Sequence, residues 1–589
     1  MTMHTPPMLY DFSKPSEQRE AFISRNQALR SERSTWHTHY ADLARHLLPR
    51  SHRSFTSDRN RTSRAKYNAI YDNTGTRGVR TLGSGMQAGA SNPGRPWFKL
   101  STQDPDLADF YPVRAWLDDV VERMQRVFAR SNTYRTLHQM YEELAVFGTS
   151  VSIMLPDPVN VIHHYPVVCG EYCLQKNYRG EIVALYREFQ KTIGETVKEF
   201  GLENCSTSVR DSWINRNFEE TVDILHVIEP REDQARDPSN PSPKNMPFKS
   251  AYIELNSQEN DKILRESGFP RFPVLAPRWQ VVGQDVYGIS PGMEALGDVR
   301  QLQQEQLRKG QAIDYMVRPP LQVPSVLKDR ESDLFPGGLS YYDPGTLLPF
   351  DQVTPAGGVR PAFETRLELD HLLADIVDVR QRIDRAFYAD LFLMLALAGP
   401  QTRMTATEVA ERHEEKLLAL GPVLERLHNE LLQPMIENTF EIMLEQGLFP
   451  PPPPELQGVD ITVEFVSILA QAQRAVGSNS IDRFMGNAVQ LAQVRPDVLD
   501  KINFDQWVDT YSNMVGVPTE MVVDDDTVAA LRKARAKAEA AQAQIQMGRE
   551  QAASARDLSQ ADTSGQNALT DALGGGTAGL PIDAGGIPL

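Results

Sequence analysis

The sequence predicts a mainly α-helical chain with an α+β region, and three observations lead there. Apolar residues recur at helical spacing in most of the long segments. Between 151 and 290, short β-rich runs alternate with turn formers. Two long helical patterns flank the stretch 319–362, which holds eight prolines and the turns FPGG, DPG and PAGG. The chain has 589 residues, 41% apolar and 24% charged, a globular composition that excludes a wholly disordered chain. Length alone suggests about three to five domains.

The first element spans 16–48, where Phe22, Leu29, Trp36, Tyr40, Leu43 and Leu47 fall on one helical face and Pro49 ends the pattern. Helical patterns return at 74–89, 112–130 and 133–147. Val161–Tyr165, Ile182–Phe189, Val222–Ile228 and Ala251–Leu255 read as strands, and 231–247 as a Pro/Ser/Asn-rich loop. Residues 291–317 predict a helix about 40 Å long, with Pro291 near its start. The Pro/Gly-rich stretch 319–362 reads as strands and turns. A third long helix follows, with Leu369, Leu372, Leu373, Ile376, Ile383 and Phe387 on one face.

After a break at 398–404, Thr405 and Glu408 make a capping box. The helix that starts there runs to about Gln446, is expected to kink at Pro422 and Pro434, and ends at Gly447. Prolines 450–454 form a stiff spacer, Val459–Val466 a strand and 468–515 a helical segment. From 527 to about 558 the chain has high helix propensity but little apolar face. The last residues are Gly-, Ala- and Thr-rich and read as disordered.

Charge is uneven. The whole chain is −17, which argues against a protein that coats DNA through a uniformly basic surface. Residues 50–99 carry ten Lys/Arg against Asp58 and Asp72, a local +8, so the remainder is −25. Arginines there, among them Arg59, Arg61 and Arg64, could meet phosphates or the acidic surface of a neighbouring subunit; the interface reading is the favoured one. Cys169, Cys173 and Cys205 are too few for a disulfide framework and suit a reducing compartment. The longest apolar run, Leu391–Ala398, is far short of the ~20 residues of a membrane span, and the N-terminus lacks a signal-peptide core. No membrane partner is expected.

Catalytic and cofactor motifs do not emerge. There is no Gly-Lys-Ser/Thr, so no Walker A loop. Gly75, Gly78, Gly83, Gly85 and Gly89 fit no phosphate-binding fingerprint and read as small residues that ease close packing. Cys169 and Cys173 near His163 and His164 do not have zinc-site spacing and read as buried thiols and ordinary histidines. His413–Glu414–Glu415 lacks the second histidine of a zincin, and Ser84 lacks a nucleophile elbow. The expectation is a non-enzymatic protein without cofactor or metal.

The order of parts resembles the portal proteins of tailed bacteriophages, and more narrowly the head-to-tail connector family of short-tailed phages. Four sets of segments carry the resemblance: Tyr71–Asp–Asn–Thr–Gly75 with Leu82–Gly–Ser–Gly–Met86 and Ser91 to Phe98; Trp116–Leu117 with Ser131–Asn132, Tyr134 and Phe147–Gly–Thr149; Pro273 to Trp279 with Tyr287–Gly–Ile–Ser–Pro291; and Met404 to Val409 with Arg412, Glu415 and Gly421–Pro422. Together they cover about 15–520.

The resemblance implies a mainly α portal-type subunit with an α+β wing, long stem helices, a small β-rich clip insertion and a long kinked helix. The parts would be wing 1–290, stem helices 291–317 and 363–394, clip 318–362 between them, tunnel loop 395–405, long wing helix 406–447, crown 448–525, a possible barrel helix 526–560 and a tail 561–589. It implies a ring, typically of about twelve copies, at one capsid vertex of the virion, assembled in the host cytoplasm. Double-stranded DNA would be packaged and ejected through its axis. The partners implied are the terminase, the tail adaptor, and the capsid and scaffold proteins. Gln401 and Arg403 in the break, and Arg300, Arg308 and Lys309 on the first stem helix, are the candidates to face DNA. Those three basic residues could instead pair with acids on the next subunit. Two other readings stay open: a virion scaffold or adaptor without a channel, and a metal-dependent nuclease of the packaging pathway.

Overall fold

The computed structural model describes residues 15–49, 51, 70–104, 107, 110–231, 242–257, 262–324, 336–342, 360–361, 370–397, 420–456, 458–466, 495, 503–504, 506–508 and 525–560. By its internal packing the chain divides into two units, 1–487 and 488–589.

In the first unit, α1 (Pro15–Leu47) is followed by α2 (Thr74–Ala90), β1 (Phe98–Thr102), α3 (Tyr111–Arg130) and α4 (Thr133–Phe147). The α+β region contributes β2 (Val151–Asp157), β3 (Val161–Val167), β4 (Tyr172–Lys176), β5 (Ile182–Thr192), α5 (Ile193–Phe200), α6 (Thr207–Ile214), β6 (Thr221–Pro230), β7 (Phe248–Glu254), β8 (Arg265–Phe269) and β9 (Val274–Leu275). The expected strands are therefore present; three are extended by a few residues, and the one expected over Ala251–Leu255 runs from Phe248 to Glu254. The capped helices α5 and α6 were not singled out by the sequence; Thr192 and Ser206 cap them by accepting from the Glu195 and Val209 amides.

Strands β4 to β8 form a five-stranded antiparallel sheet in chain order, and β3-β2-β9 a three-stranded one. Side-chain alternation in β6 divides the larger sheet's two faces. Leu225 and Val227 pack with Phe22 of α1, whereas Ile224 packs with Ile193, Phe200 and Val209 of the short helices. The main core joins α1 to α4 with the small sheet through Tyr40, Leu43, Leu82, Met86, Phe128, Leu144, Phe147 and Ile153, all buried.

Helix α7 (Pro291–Val317) matches the predicted range. Beyond it, β10 (Leu321–Pro324), β11 (Leu339–Tyr342) and β12 (Arg360–Pro361) make a small sheet in the order β11-β10-β12. The helix expected over 363–394 differs from expectation. It is two helices, α8 (Asp370–Ala386) and α9 (Ala389–Leu397), divided at Phe387–Tyr388, where Tyr388 takes φ +52°.

The glycines of α2 explain that division. A Cβ on Gly78 would stand 2.6 Å from the Phe387 ring, and one on Gly85 only 2.2 Å from the Phe392 ring. Both rings are buried. The backbone between α8 and α9 bends so that both seat on a helix with no side chains there. The close-packing reading of the glycine cluster is thus borne out at these two positions.

The long helix is described from 420 onward; its capping box at Thr405 and Glu408 lies outside the described residues. Its irregularity is a π turn, His428–Leu432, ahead of α10 (Gln433–Glu445). Pro434 has no N–H to give, and its ring would crowd the carbonyl four residues back, at Glu430. The widened turn spans that carbonyl, so the helix continues through the proline. Gly447, at φ +65°, closes the helix: its amide donates to the Leu444 carbonyl, and the Leu448 amide to that of Met443. Strand β13 (Ile461–Phe465) returns to pair antiparallel with β1. In the second unit, α11 (Asp525–Gln560) is a 36-residue helix whose described side chains are nearly all exposed. Among the described residues no helix is long and apolar enough to cross a membrane.

Candidate functional site

The pairing of α7 with α8 builds a hairpin along one line of apolar contacts. Ala295, Leu296, Val299 and Leu302 are buried on α7, and Ile376, Val379 and Ile383 on α8. Among the contacts that tie this hairpin to the rest of the unit, two polar joints stand at its near end.

The first joint is Asp72. Its Oδ1 accepts from the Thr74 amide (2.9 Å) and hydroxyl (2.6 Å). Its Oδ2 accepts from Arg380 Nη2 (2.6 Å) and Nε (3.1 Å) on α8, and from Gln306 Nε2 (3.2 Å) on α7. Gln303, also on α7, accepts from the Tyr71 and Asp72 amides and donates to the Asp72 carbonyl. The net effect is a carboxyl held below its usual range: burial raises it, and the bonds from Thr74 and Arg380 outweigh burial. One buried acid therefore ties the entry of α2 to both hairpin helices.

The second joint brings together Phe147–Gly148–Thr149, Pro277–Arg278–Trp279 and Tyr287–Gly288–Ile289–Ser290. Gly148 caps α4 at φ +70°. A Cβ there would lie 2.3 Å from the Gly288 carbonyl oxygen, and one on Gly288 would lie 2.3 Å from that of Gly148. The Thr149 hydroxyl accepts from the Gly288 amide (2.9 Å), and the Trp279 amide donates to the Gly148 carbonyl (2.8 Å). The Ser290 hydroxyl caps α7 by accepting from the Met293 amide, and donates to the Val146 carbonyl. Buried Arg278 pairs with Glu430 of the π turn at 2.6 Å and donates to the Gly180 carbonyl. This pair stands in a cleft of about 710 Å³ whose lining includes Lys176, Arg271, Arg426 and Glu437.

Several charges along the hairpin are satisfied within the chain. Arg300 pairs with Asp42 of α1, Arg77 with Asp384 (3.0 Å), and Arg382 with both Asp298 (3.3 Å) and Asp378 (2.9 Å). Glu305 is pushed upward by burial and by the neighbouring Asp375. Of the sequence candidates for DNA contact, Arg300 is thus held by an acid of its own chain. Arg308 is exposed and Lys309 half-buried on the same helix. Gln401 and Arg403, and the interface candidates Arg59, Arg61 and Arg64, lie outside the described residues. Beyond Gln303 the hairpin exposes Leu307, Ile313, Met316 and Val317 on α7, and Leu373 and Val377 on α8.

The cysteines are buried thiols, as expected, and burial pushes Cys169 up to about 12. Cys169 lies beside Arg33, whose guanidinium donates to the carbonyls of Tyr172 and Cys169 and lies over the rings of Tyr40, Tyr172 and Tyr287. No group of three or more His, Cys, Asp and Glu that could hold a metal occurs among the described residues.

Glu143 is the buried acid with a measurable consequence. Burial pushes its carboxyl from 4.5 to about 8, against one bond from Gln139. A raised carboxyl supports folding fully below the unfolded value, and that support is lost as pH rises from 4.5 toward 8. Each unit of difference is about 1.4 kcal/mol, so the loss is of the order of a few kcal/mol. Glu143→Gln is expected to melt higher than the parent at pH 8 and close to it at pH 4.5, as read by thermal denaturation.

Residues 19–522 match the model of the bacteriophage head to tail connecting protein family. The chain is 52% identical to the probable portal protein of Bordetella phage BPP-1, over 94% of this chain and 98% of that one. It is 42% identical to the portal protein of Salmonella phage epsilon15, over 94% and 97%. A solved neck of an empty gene transfer agent particle overlaps 78% of this chain and 94% of its own at 11% identity and a TM-score of 0.34, too loose a likeness to bear on the site. By the span of the family match and the near-full-length identity to two phage portal proteins, this chain belongs to the bacteriophage head-to-tail connecting protein family.

Proposed function

We propose that the chain is a portal subunit: about twelve copies close into a ring at one capsid vertex, and double-stranded DNA is packaged and later ejected through the axis. The hairpin of α7 and α8 is the stem, and the small sheet of β10, β11 and β12 is the clip, which docks the terminase motor and then the tail adaptor. Residues 1–290 and the long helix to 447 make the wing, 395–405 the tunnel loop and 448–525 the crown. Capsid and scaffold proteins surround the ring, which assembles in the host cytoplasm. The subunit itself carries out no catalysis, and the motor is another chain.

The observation that carries this reading is the far half of the hairpin. It is tied to the wing by Asp72, yet beyond Gln303 it exposes six apolar side chains. Two helices alone do not bury both their apolar flanks, and a ring of hairpins covers each flank with the next subunit. Electron micrographs of the purified full chain are expected to show rings with a hole wide enough for a duplex. Monomers that cleave DNA in the presence of divalent metal would overturn the reading. At finer grain, the double variant Leu373→Asp, Val377→Asp is expected to remain folded by circular dichroism and to sediment as monomer. Fully burying each parent side chain is worth about 1.5–3 kcal/mol, and the charged variant forfeits that at every interface.

A further inference from the structure

The outward face of α7 carries a glutamine-rich stripe with few charges. Gly297, Gln301, Gln304, Arg308 and Gln311 follow one another at intervals of four, three, four and three residues, and all five are exposed. That spacing stacks them in one stripe, about 21 Å long at 1.5 Å per residue, with Glu294 and Tyr315 continuing it at the ends. It lies opposite the buried line of Ala295, Val299 and Leu302. Solvated helix faces are ordinarily charged. Here Arg308 is the one charge in five, with Glu294 an acid at the wing end of the stripe and Arg300 at its edge held by Asp42, in a chain with 61 bases and 78 acids. Gln301 donates to Glu305 (2.7 Å); Gln304, Arg308 and Gln311 bond to no other described residue.

We propose that this stripe is the surface along which the DNA duplex slides, its amides meeting phosphate and sugar oxygens and Arg308 serving as one centring cation per subunit. The inference rests on the portal reading. Glutamine side chains make such contacts, but they release no counterions. Each lysine or arginine that neutralises a phosphate steepens the salt dependence of binding by about 0.9 in log–log slope, which is grip rather than guidance. A neutral stripe gives the duplex hydrogen-bonding partners at every position without that hold. The neighbouring subunits have other ground: at 3.6 residues per turn, Leu307 falls on one edge of the stripe and Met316 on the other, and both are exposed. Apolar edges facing two neighbours leave the polar stripe between them for the lumen.

The test places a benzophenone amino acid at 304 or 311 in the full-length protein, fills heads with DNA and irradiates them. Covalent subunit–DNA adducts are expected from both positions, and none from a benzophenone at the exposed wing position 126. Adducts to protein alone in DNA-filled heads would make the stripe a subunit or shell contact and overturn the inference while leaving the portal reading intact. Absence of rings before irradiation would remove both. In a second arm, the double variant Gln304→Lys, Gln311→Lys is expected to steepen the salt dependence of DNA retention by up to about 0.9 per engaged lysine. An unchanged slope in filled heads would count against the stripe.

Discussion

Asp72→Ala is expected to loosen the joint between the stem and the start of α2, with a loss of about 3 kcal/mol per subunit and impaired ring assembly. Five donors converge on that carboxylate, two from Thr74, two from Arg380 and one from Gln306. Bonds to a charged group contribute about 1.5–3 kcal/mol each, but Arg380 is partly exposed and regains water when its acid is lost. Gln306 and the start of α2 cannot recover so easily, because the carboxylate that paired them is buried. Asp72→Asn keeps the size and one acceptor and is expected to fall between the two. Arg380→Ala serves as the comparison: it removes two bonds from one side, while Gln303 and Gln306 still hold the segment to α7. Thermal melts and sedimentation of the three variants check the order. Equal stability of Asp72→Ala and the parent would mean that the joint is held by Gln303 alone.

The stem range 291–317 was legible because Pro291, the apolar spacing and Pro319–Pro320 are local signals, and its start is fixed by the Ser290 cap. The break at Phe387–Tyr388 was not, because it comes from two rings seating on glycines some 300 positions earlier in the chain. Periodicity reads a helix through such a site and cannot register the partner. Asp72 was visible only as one of two acids in a basic stretch. Its role depends on Gln303 and Arg380, which are brought to it by the fold. The same holds for Arg300: the sequence offered it to DNA or to a neighbour, and the acid it meets is Asp42 of its own α1. Motif segments fared differently. Phe147–Gly–Thr149 and Tyr287–Gly–Ile–Ser–Pro291 stood out separately, and the structure explains both at once, since their glycines touch.

Gly148→Ala is expected to be strongly damaging, because Gly148 combines, alone among the described glycines, a left-handed backbone with a backbone atom under 3 Å from its Cβ position. Gly148 sits at φ +70°, where a residue with a Cβ costs about 1–3 kcal/mol even in open space. The space is not open. The added Cβ would stand 2.3 Å from the Gly288 carbonyl oxygen and 2.6 Å from its carbon. Those are backbone atoms, held by the bond from the Gly288 amide to Thr149 and by the Ile289–Gln280 bond, so relief requires moving the start of α7. Overpacking of this kind adds about 1–3 kcal/mol, which brings the total to roughly 4 kcal/mol. A second substitution separates clash from strain. Gly180, at φ +85°, has nothing within 4 Å of its Cβ position, so Gly180→Ala carries the conformational cost alone. Melting of the two variants side by side is expected to show Gly148→Ala several degrees lower, with fewer rings on sedimentation. If the two melt together, the closeness of Gly148 to Gly288 does not constrain the stem, and the joint is compliant.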